Sequence, residues 1–289
     1  MKNLYRDFPL APLTTARVGQ RARRLFRPSS VGELKELLPK LAAEDELFFL
    51  GGGSNTLFGN FKGCVVWTDR LRWVKVLNPE GDEVLIEAGA GTPLSELLKP
   101  VLELNLTGLE GLFGIPRITV GGAAAMNAGA YGFEVGPLVR RVRYLTPEGD
   151  LVEEESPPFG YRSSPFPRKG IIVSVLLGLK KADFPVAERV RELNRRRKKS
   201  QPLHLPTAGS TFKNPKGFYA GRLLEEVGLK GFCTEGGLCF WKGHANFLVN
   251  LSGSATLSEV LYLLELAKER VLKSFGVLLE EEVRLVGDP

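Results

Sequence analysis

The sequence predicts an α+β protein in two parts, on three observations. Short runs rich in Val, Leu, Ile and Tyr alternate with turn residues up to about residue 180, as strands do. Beyond the basic and proline-marked stretch 180–185, apolar residues recur mainly at helical spacing, around 186–196, 218–227 and 257–274. Glycine clusters sit at the loops of both parts, and 289 residues with 43% hydrophobic and 25% charged composition suffice for two domains.

In chain order, Ser30-Val31-Gly32-Glu33 has capping-box spacing, and Leu34, Leu37, Leu38 and Leu41 follow on one helical face. A strand at 47–50 runs directly into glycines 51–53. Two hairpin-like pairs turn at 78–82 and at 147–150. Between them Thr92-Pro93 opens a helix carrying Leu94, Leu97, Leu98 and Val101. A strand at 171–177 closes this half. In the second half a strand is expected at 247–250. The final helix starts at another capping-box candidate, Thr256 with Glu259, and stops near Gly276.

Composition excludes several classes. No apolar run approaches the roughly 20 residues of a bilayer span, and residues 1–8 carry no apolar signal region, so a cytoplasmic protein is expected. Cys64, Cys233 and Cys239 are odd in number and lack metal-type spacing; they read as reduced, buried thiols. Two histidines, His204 and His244, do not make a metal site, and no metal is expected. The net charge of +6 owes much to residues 189–199. That run reads as a solvated helix face, with a nucleic-acid patch or a contact to a ligand phosphate as alternatives. No aromatic residue interrupts it, which argues against single-strand stacking.

Three segments carry chemistry. Gly51, Gly52 and Gly53 followed by Ser54 and Asn55 open from a strand, so backbone N–H groups and two polar side chains can surround phosphate oxygens. It is neither a Rossmann fingerprint nor a Walker loop. Residues 121–132 are almost all small and permit close backbone approach to a flat ligand. Residues 208–215, Ala-Gly-Ser-Thr-Phe-Lys-Asn-Pro, set the Ser210 hydroxyl on a glycine turn, with Lys213 and Asn214 close behind. Taken singly, each is also read as a plain turn.

Together these segments resemble a known family. Residues 51–55, 120–132, 161–166 (Tyr-Arg-Ser-Ser-Pro-Phe), 208–215 and 279–287 occur in the order found in the UDP-N-acetylenolpyruvoylglucosamine reductases. Weaker agreement comes from 14–19, 228–231 and 244–250. The resemblance implies an FAD-binding region of the vanillyl-alcohol-oxidase-like (PCMH) kind over 1–182, in subdomains of about 1–65 and 66–182, and an α+β substrate domain over 183–289. Residues 280–289 would return onto the first region. It implies NADPH-dependent reduction of an enolpyruvyl ether of UDP-N-acetylglucosamine to UDP-N-acetylmuramate, in peptidoglycan precursor synthesis. FAD would take a hydride from NADPH and deliver one from N5 to the substrate β-carbon.

Site roles carry over on matching positions. Ser210 would protonate the α-carbon, while Arg162 and Glu282 would stabilise the enolate; Glu282 must be protonated or share a proton to do so. The cofactor would meet Gly51, Gly52, Gly53, Ser54, Asn55, Thr119, Gly121, Gly122, Asn127, Gly129, Ala130 and Arg284. Tyr161, Lys213 and Asn214 would meet the UDP-sugar; His244, where some relatives have a glutamine near the sugar nucleotide, reads as a structural histidine with a substrate contact as the alternative. The chain departs from the family's Ile-Pro-Gly-Thr-Val-Gly-Gly-Ala by reading Ile115-Pro116-Arg117-Ile118-Thr119 before Val120. It also lacks the tyrosine-bearing substrate loop of one subgroup. A monomer with no nucleic-acid partner is expected. Another FAD oxidoreductase sharing the cofactor domain is the alternative.

Overall fold

The computed structural model describes residues 2–77 and 82–289, so the turn expected at 78–82 lies largely outside the described residues. Its flanks, Val74–Val76 and Glu83–Gly89, pair antiparallel as a hairpin requires. The chain forms two compact units. The first comprises Met1–Arg6, Arg24–Gly52 and Gly63–Arg197; the second comprises Asp7–Arg23, Gly53–Lys62 and Lys198–Pro289.

The first unit is organised by strand Ile171–Lys181, whose first nine residues are buried. A continuous apolar run is what a strand covered on both faces needs. It pairs antiparallel with Val139–Leu145 on one side and Glu83–Gly89 on the other, while Leu151–Glu155 and Val74–Val76 form the outer strands. Helices Leu98–Glu103 and Val120–Met126 contribute Val101, Val120, Ala123 and Ala124 to its core. A second cluster packs Leu34, Leu38 and Leu41 of helix Val31–Glu44 against Phe26, Cys64 and Val66. The helix starts where expected, with the Ser30 hydroxyl accepting from Glu33 N–H at 3.1 Å. The Glu33 carboxylate, however, accepts from the N–H of Ser29 at 2.7 Å.

The chain leaves the first unit at 197/198, not at 182/183. The reason is the helix Val186–Ser200, which buries Val186 and Val190 in the first unit's core. Arg197 is buried on it too, 3% exposed, and donates to the Gly111 carbonyl at 2.6 Å. Its guanidinium lies 5.0 Å from the Tyr131 ring centroid. The basic run is therefore not simply a solvated face.

In the second unit, Phe247–Asn250 is the centre of a three-stranded antiparallel sheet between Thr207–Ser210 and Leu238–Phe240. Helix Leu257–Phe275 packs on it through Leu257, Val260, Leu263 and Leu264. Its capping box at Thr256 and Glu259 is complete, and it ends at a left-handed Gly276. Thr56–Phe58 pairs parallel with Arg284–Val286.

The expectation of three reduced thiols is overturned. Cys233 and Cys239 form a disulfide, and only Cys64 is a free, buried thiol. The turn through Thr234 and Leu238, closed by Thr234 N–H to Leu238 C=O at 2.9 Å, places the two cysteines opposite each other in an antiparallel bridge. The odd cysteine count concealed that pair. Among the described residues no helix is long and apolar enough to cross a membrane, and no acidic, His or Cys cluster could hold a metal.

Candidate active site

In the first unit, strand Leu47–Leu50 delivers Gly51 and Gly52 to a place with no room for a side chain. A Cβ on Gly51 would lie 2.5 Å from the Thr119 hydroxyl, and one on Gly52 only 1.5 Å from the Arg117 carbonyl oxygen. Thr119 caps helix Val120–Met126, accepting from Gly122 N–H at 3.3 Å. Gly121 packs on Ala90, where a Cβ would come within 2.6 Å. The expected departure from the family loop falls here. Arg117 adopts φ 53°, a left-handed conformation that favours glycine, the residue the family places after Ile-Pro.

A second group gathers around Arg162. Gly160 and Ser163 exchange N–H to C=O bonds at 3.1 Å, so Tyr161 and Arg162 form the tip of a two-residue turn, with Arg162 at φ 52°. The Arg162 guanidinium donates to the Gly129 carbonyl at 2.7 Å, contacts Glu134 at 3.5 Å and lies 4.9 Å from the Tyr161 ring centroid. Gly129 and Ala130 pair with Phe133 and Glu134 through a turn at Tyr131 and Gly132, both at positive φ. A Cβ on Gly129 would lie 2.5 Å from the guanidinium. Asn127 is spent internally: its amide accepts from Gly136 N–H and donates to the Gly160 carbonyl, each at 2.8 Å. Asn127 is thus a brace for the Arg162 turn. Glu134, which contacts both residues, was not singled out from sequence, where a single acid closing a hairpin of small and aromatic residues gives no signal.

In the second unit the remaining candidates converge on residues 210–213 and 280–284. Ser210 is half-buried at the end of its strand, after a left-handed Gly209 (φ 81°). Its hydroxyl makes no hydrogen bond to another described residue. The next residues pair with the C-terminal segment: Glu282 N–H donates to the Thr211 carbonyl and Lys213 N–H to the Glu280 carbonyl, each at 2.8 Å. The Asn55 amide donates to the Glu282 carbonyl at 2.9 Å, and Arg284 N–H donates to the Asn55 carbonyl at 2.9 Å. Ser54 is near Gly209, whose Cβ would lie 4.0 Å from the Ser54 carbonyl oxygen.

In the acidic triplet 280–282, Glu280 is exposed and the other two are half-buried. Glu280 pairs with the Lys213 ammonium, and Glu281 pairs with Lys268 at 2.5 Å. Burial pushes the half-buried Arg284 guanidinium below its ordinary pKa. Asn214 accepts from Ala220 N–H at 3.0 Å, at the start of helix Ala220–Glu226. His244 packs over Gly221 and edge-on to Phe247 at 5.1 Å. Burial lowers its pKa, and Nδ1 accepts from Asn246 N–H at 3.2 Å, so Nε2 carries the proton in the neutral ring.

Known proteins resemble nearly the full length of the chain. Residues 201–286 match the family described as UDP-N-acetylenolpyruvoylglucosamine reductase, C-terminal domain, and residues 22–154 match an FAD binding domain. The chain is 41% identical to the UDP-N-acetylenolpyruvoylglucosamine reductase of Aquifex aeolicus, over 97% of this chain and 94% of that one. It is 43% identical to the protein of the same name from Anaeromyxobacter sp., over 98% and 88%. The crystal structure of UDP-N-acetylenolpyruvylglucosamine reductase from Thermus caldophilus superposes with a TM-score of 0.80 at 32% identity, covering 98% of this chain and 99% of that chain.

Proposed function

The chain belongs to the UDP-N-acetylenolpyruvoylglucosamine reductase family, and on that premise we propose that it reduces the enolpyruvyl ether of UDP-N-acetylglucosamine to UDP-N-acetylmuramate with NADPH, for peptidoglycan precursor synthesis. It is an oxidoreductase with an FAD-binding domain. When bound, FAD supplies hydride transfer between NADPH and the substrate double bond. The loop 51–55 fits the cofactor's diphosphate. The N–H groups of Gly52, Gly53 and Ser54 make no hydrogen bond to another described residue, while the carbonyls of Gly51 and Gly53 accept from Trp67 and Thr15. Consecutive backbone donors left without a described acceptor suit an anion.

The chain's own residues handle charge and proton. Net addition places a hydride on the β-carbon and a proton on the α-carbon, and NADPH leaves as NADP+. Arg162, fixed by the Gly129 carbonyl and Glu134, stabilises charge on the substrate carboxylate as the enolate develops. Glu282 in its acid form hydrogen-bonds the same enolate. Ser210 gives its proton to the α-carbon and recovers one from solvent. Tyr161, Lys213, Asn214 and His244 Nε2 serve the UDP-sugar. The observation that carries this reading is the Ser210 hydroxyl, unengaged among the described residues, one residue from the backbone bond joining Thr211 to Glu282.

The test is a spectrum of the purified protein followed under anaerobic conditions. NADPH should bleach the flavin absorbance, and the enolpyruvyl substrate should restore it with stoichiometric formation of UDP-N-acetylmuramate. Absence of flavin, or bleaching that the substrate does not reverse, would refute the proposed reaction.

A further inference from the structure

Strand Thr207–Ser210 does not simply end at the serine. Its pairing with Phe247–Asn250 slips between Thr207↔Val249 and Ser210↔Phe247, a bulge that bends the strand at Gly209. Beyond Ser210 a side chain replaces the missing ladder. Thr211 N–H donates to the Asn246 carbonyl at 2.8 Å. Phe212 N–H donates to Asn246 Oδ1 at 2.9 Å, and Asn246 Nδ2 donates to the Phe212 carbonyl at 2.8 Å. One buried carboxamide thus engages both backbone groups of a single residue, as a paired strand would. The opposite edge of the same segment holds Glu282 and Glu280 through the Thr211 carbonyl and Lys213 N–H.

We propose that Asn246 is a positioning residue for proton delivery: its amide fixes Phe212 and thereby the orientation of Ser210 against Glu282. The inference rests on the role assigned to Ser210. No hydrogen bond to a described residue orients the Ser210 hydroxyl, so its direction is set by the backbone on either side. On the N-terminal side stands a left-handed glycine, which restrains little. On the C-terminal side stands the two-point clamp. The Asn246 carboxamide is engaged by Phe212 on both sides, so its effect on proton delivery passes through the serine.

A double-mutant cycle in the flavin-loaded enzyme tests this, with Asn246→Ala, Ser210→Ala and the double variant followed by stopped flow. Asn246→Ala should slow flavin reoxidation by substrate by about 100-fold, the scale of an ångström-sized misplacement, and leave bleaching by NADPH unchanged. In the Ser210→Ala background, removing the amide should cost nothing further, since the two act as one unit. Amide hydrogen exchange at Phe212 should quicken in Asn246→Ala, because its N–H loses the Asn246 acceptor. If Asn246→Ala fails to fold, Asn246→Asp goes through the same cycle; it keeps the acceptor for Phe212 N–H and loses the donor, and the same non-additivity is expected. Wild-type reoxidation in the Asn246 variant, or losses that multiply with those of Ser210→Ala, would overturn the positioning role and leave Ser210 standing. Normal reoxidation in Ser210→Ala alone would instead remove the serine's role, and this inference with it.

Discussion

At the scale of single residues, glycine is used here mostly for lack of space. Gly52 abuts the Arg117 carbonyl so closely that a methyl group would have to displace residues 115–119. Gly52→Ala should therefore destabilise the protein by about 2 kcal/mol, within the usual range for overpacking, and lower the flavin retained on purification. Equilibrium denaturation with a flavin count checks both; unchanged stability and full flavin would mean that the loop yields freely. Arg117 itself occupies a left-handed conformation that costs an ordinary residue on the order of 1 kcal/mol. The inserted Ile118 is buried in the first unit's core, so the altered loop is packed.

At the scale of elements, the helix starts at Ser30 and Thr256 were legible in the sequence because capping chemistry is local. Thr256 and Glu259 form the box that their spacing predicts, with the Thr256 hydroxyl accepting from Glu259 N–H and the Glu259 carboxylate accepting from Thr256 N–H at 3.0 Å. Thr234 adds a hydroxyl donor at 2.6 Å. That hydrogen bond first, and the Thr256 N–H next, hold the Glu259 carboxyl below its ordinary pKa, against the opposing effect of burial. A depressed folded-state pKa gives stability that is present above the unfolded pKa of about 4.3 and lost as pH falls through the folded value. Glu259→Ala should cost about 1 kcal/mol at neutral pH, and the gap to wild type should narrow as pH drops through the acid range. A gap constant with pH would show that the carboxylate charge contributes nothing. What was not legible depended on register between distant segments. The Asn246 clamp needs 211–212 beside 246, the Glu134 contact needs two separate hairpins, and the burial of Arg197 needs Gly111 and Tyr131 at one helix face.

At the scale of the whole molecule, the α+β class was readable from runs of adjacent residues, whereas the small-residue stretch 121–132, read as a loop, begins inside helix Val120–Met126. The division at 197/198 was not readable, because helix 186–200 is claimed by core packing and composition does not record packing. The cysteines follow the same rule. Burial pushes the Cys64 thiol up to about 12, and the other two are joined. Thiol titration should find no reactive group in the folded protein, one after denaturation and three after reduction of the unfolded chain. Three thiols without reductant would show that the disulfide does not form in the purified protein.

Ser210 is assigned delivery of the proton in the second half of a flavin reaction. Stopped-flow comparison of Ser210→Ala with wild type tests it most directly. Bleaching by NADPH should proceed at the wild-type rate, and reoxidation by the enolpyruvyl substrate should fall by a factor of about 100 or more, the lower end of a general-acid contribution. Reoxidation at the wild-type rate in Ser210→Ala would contradict it.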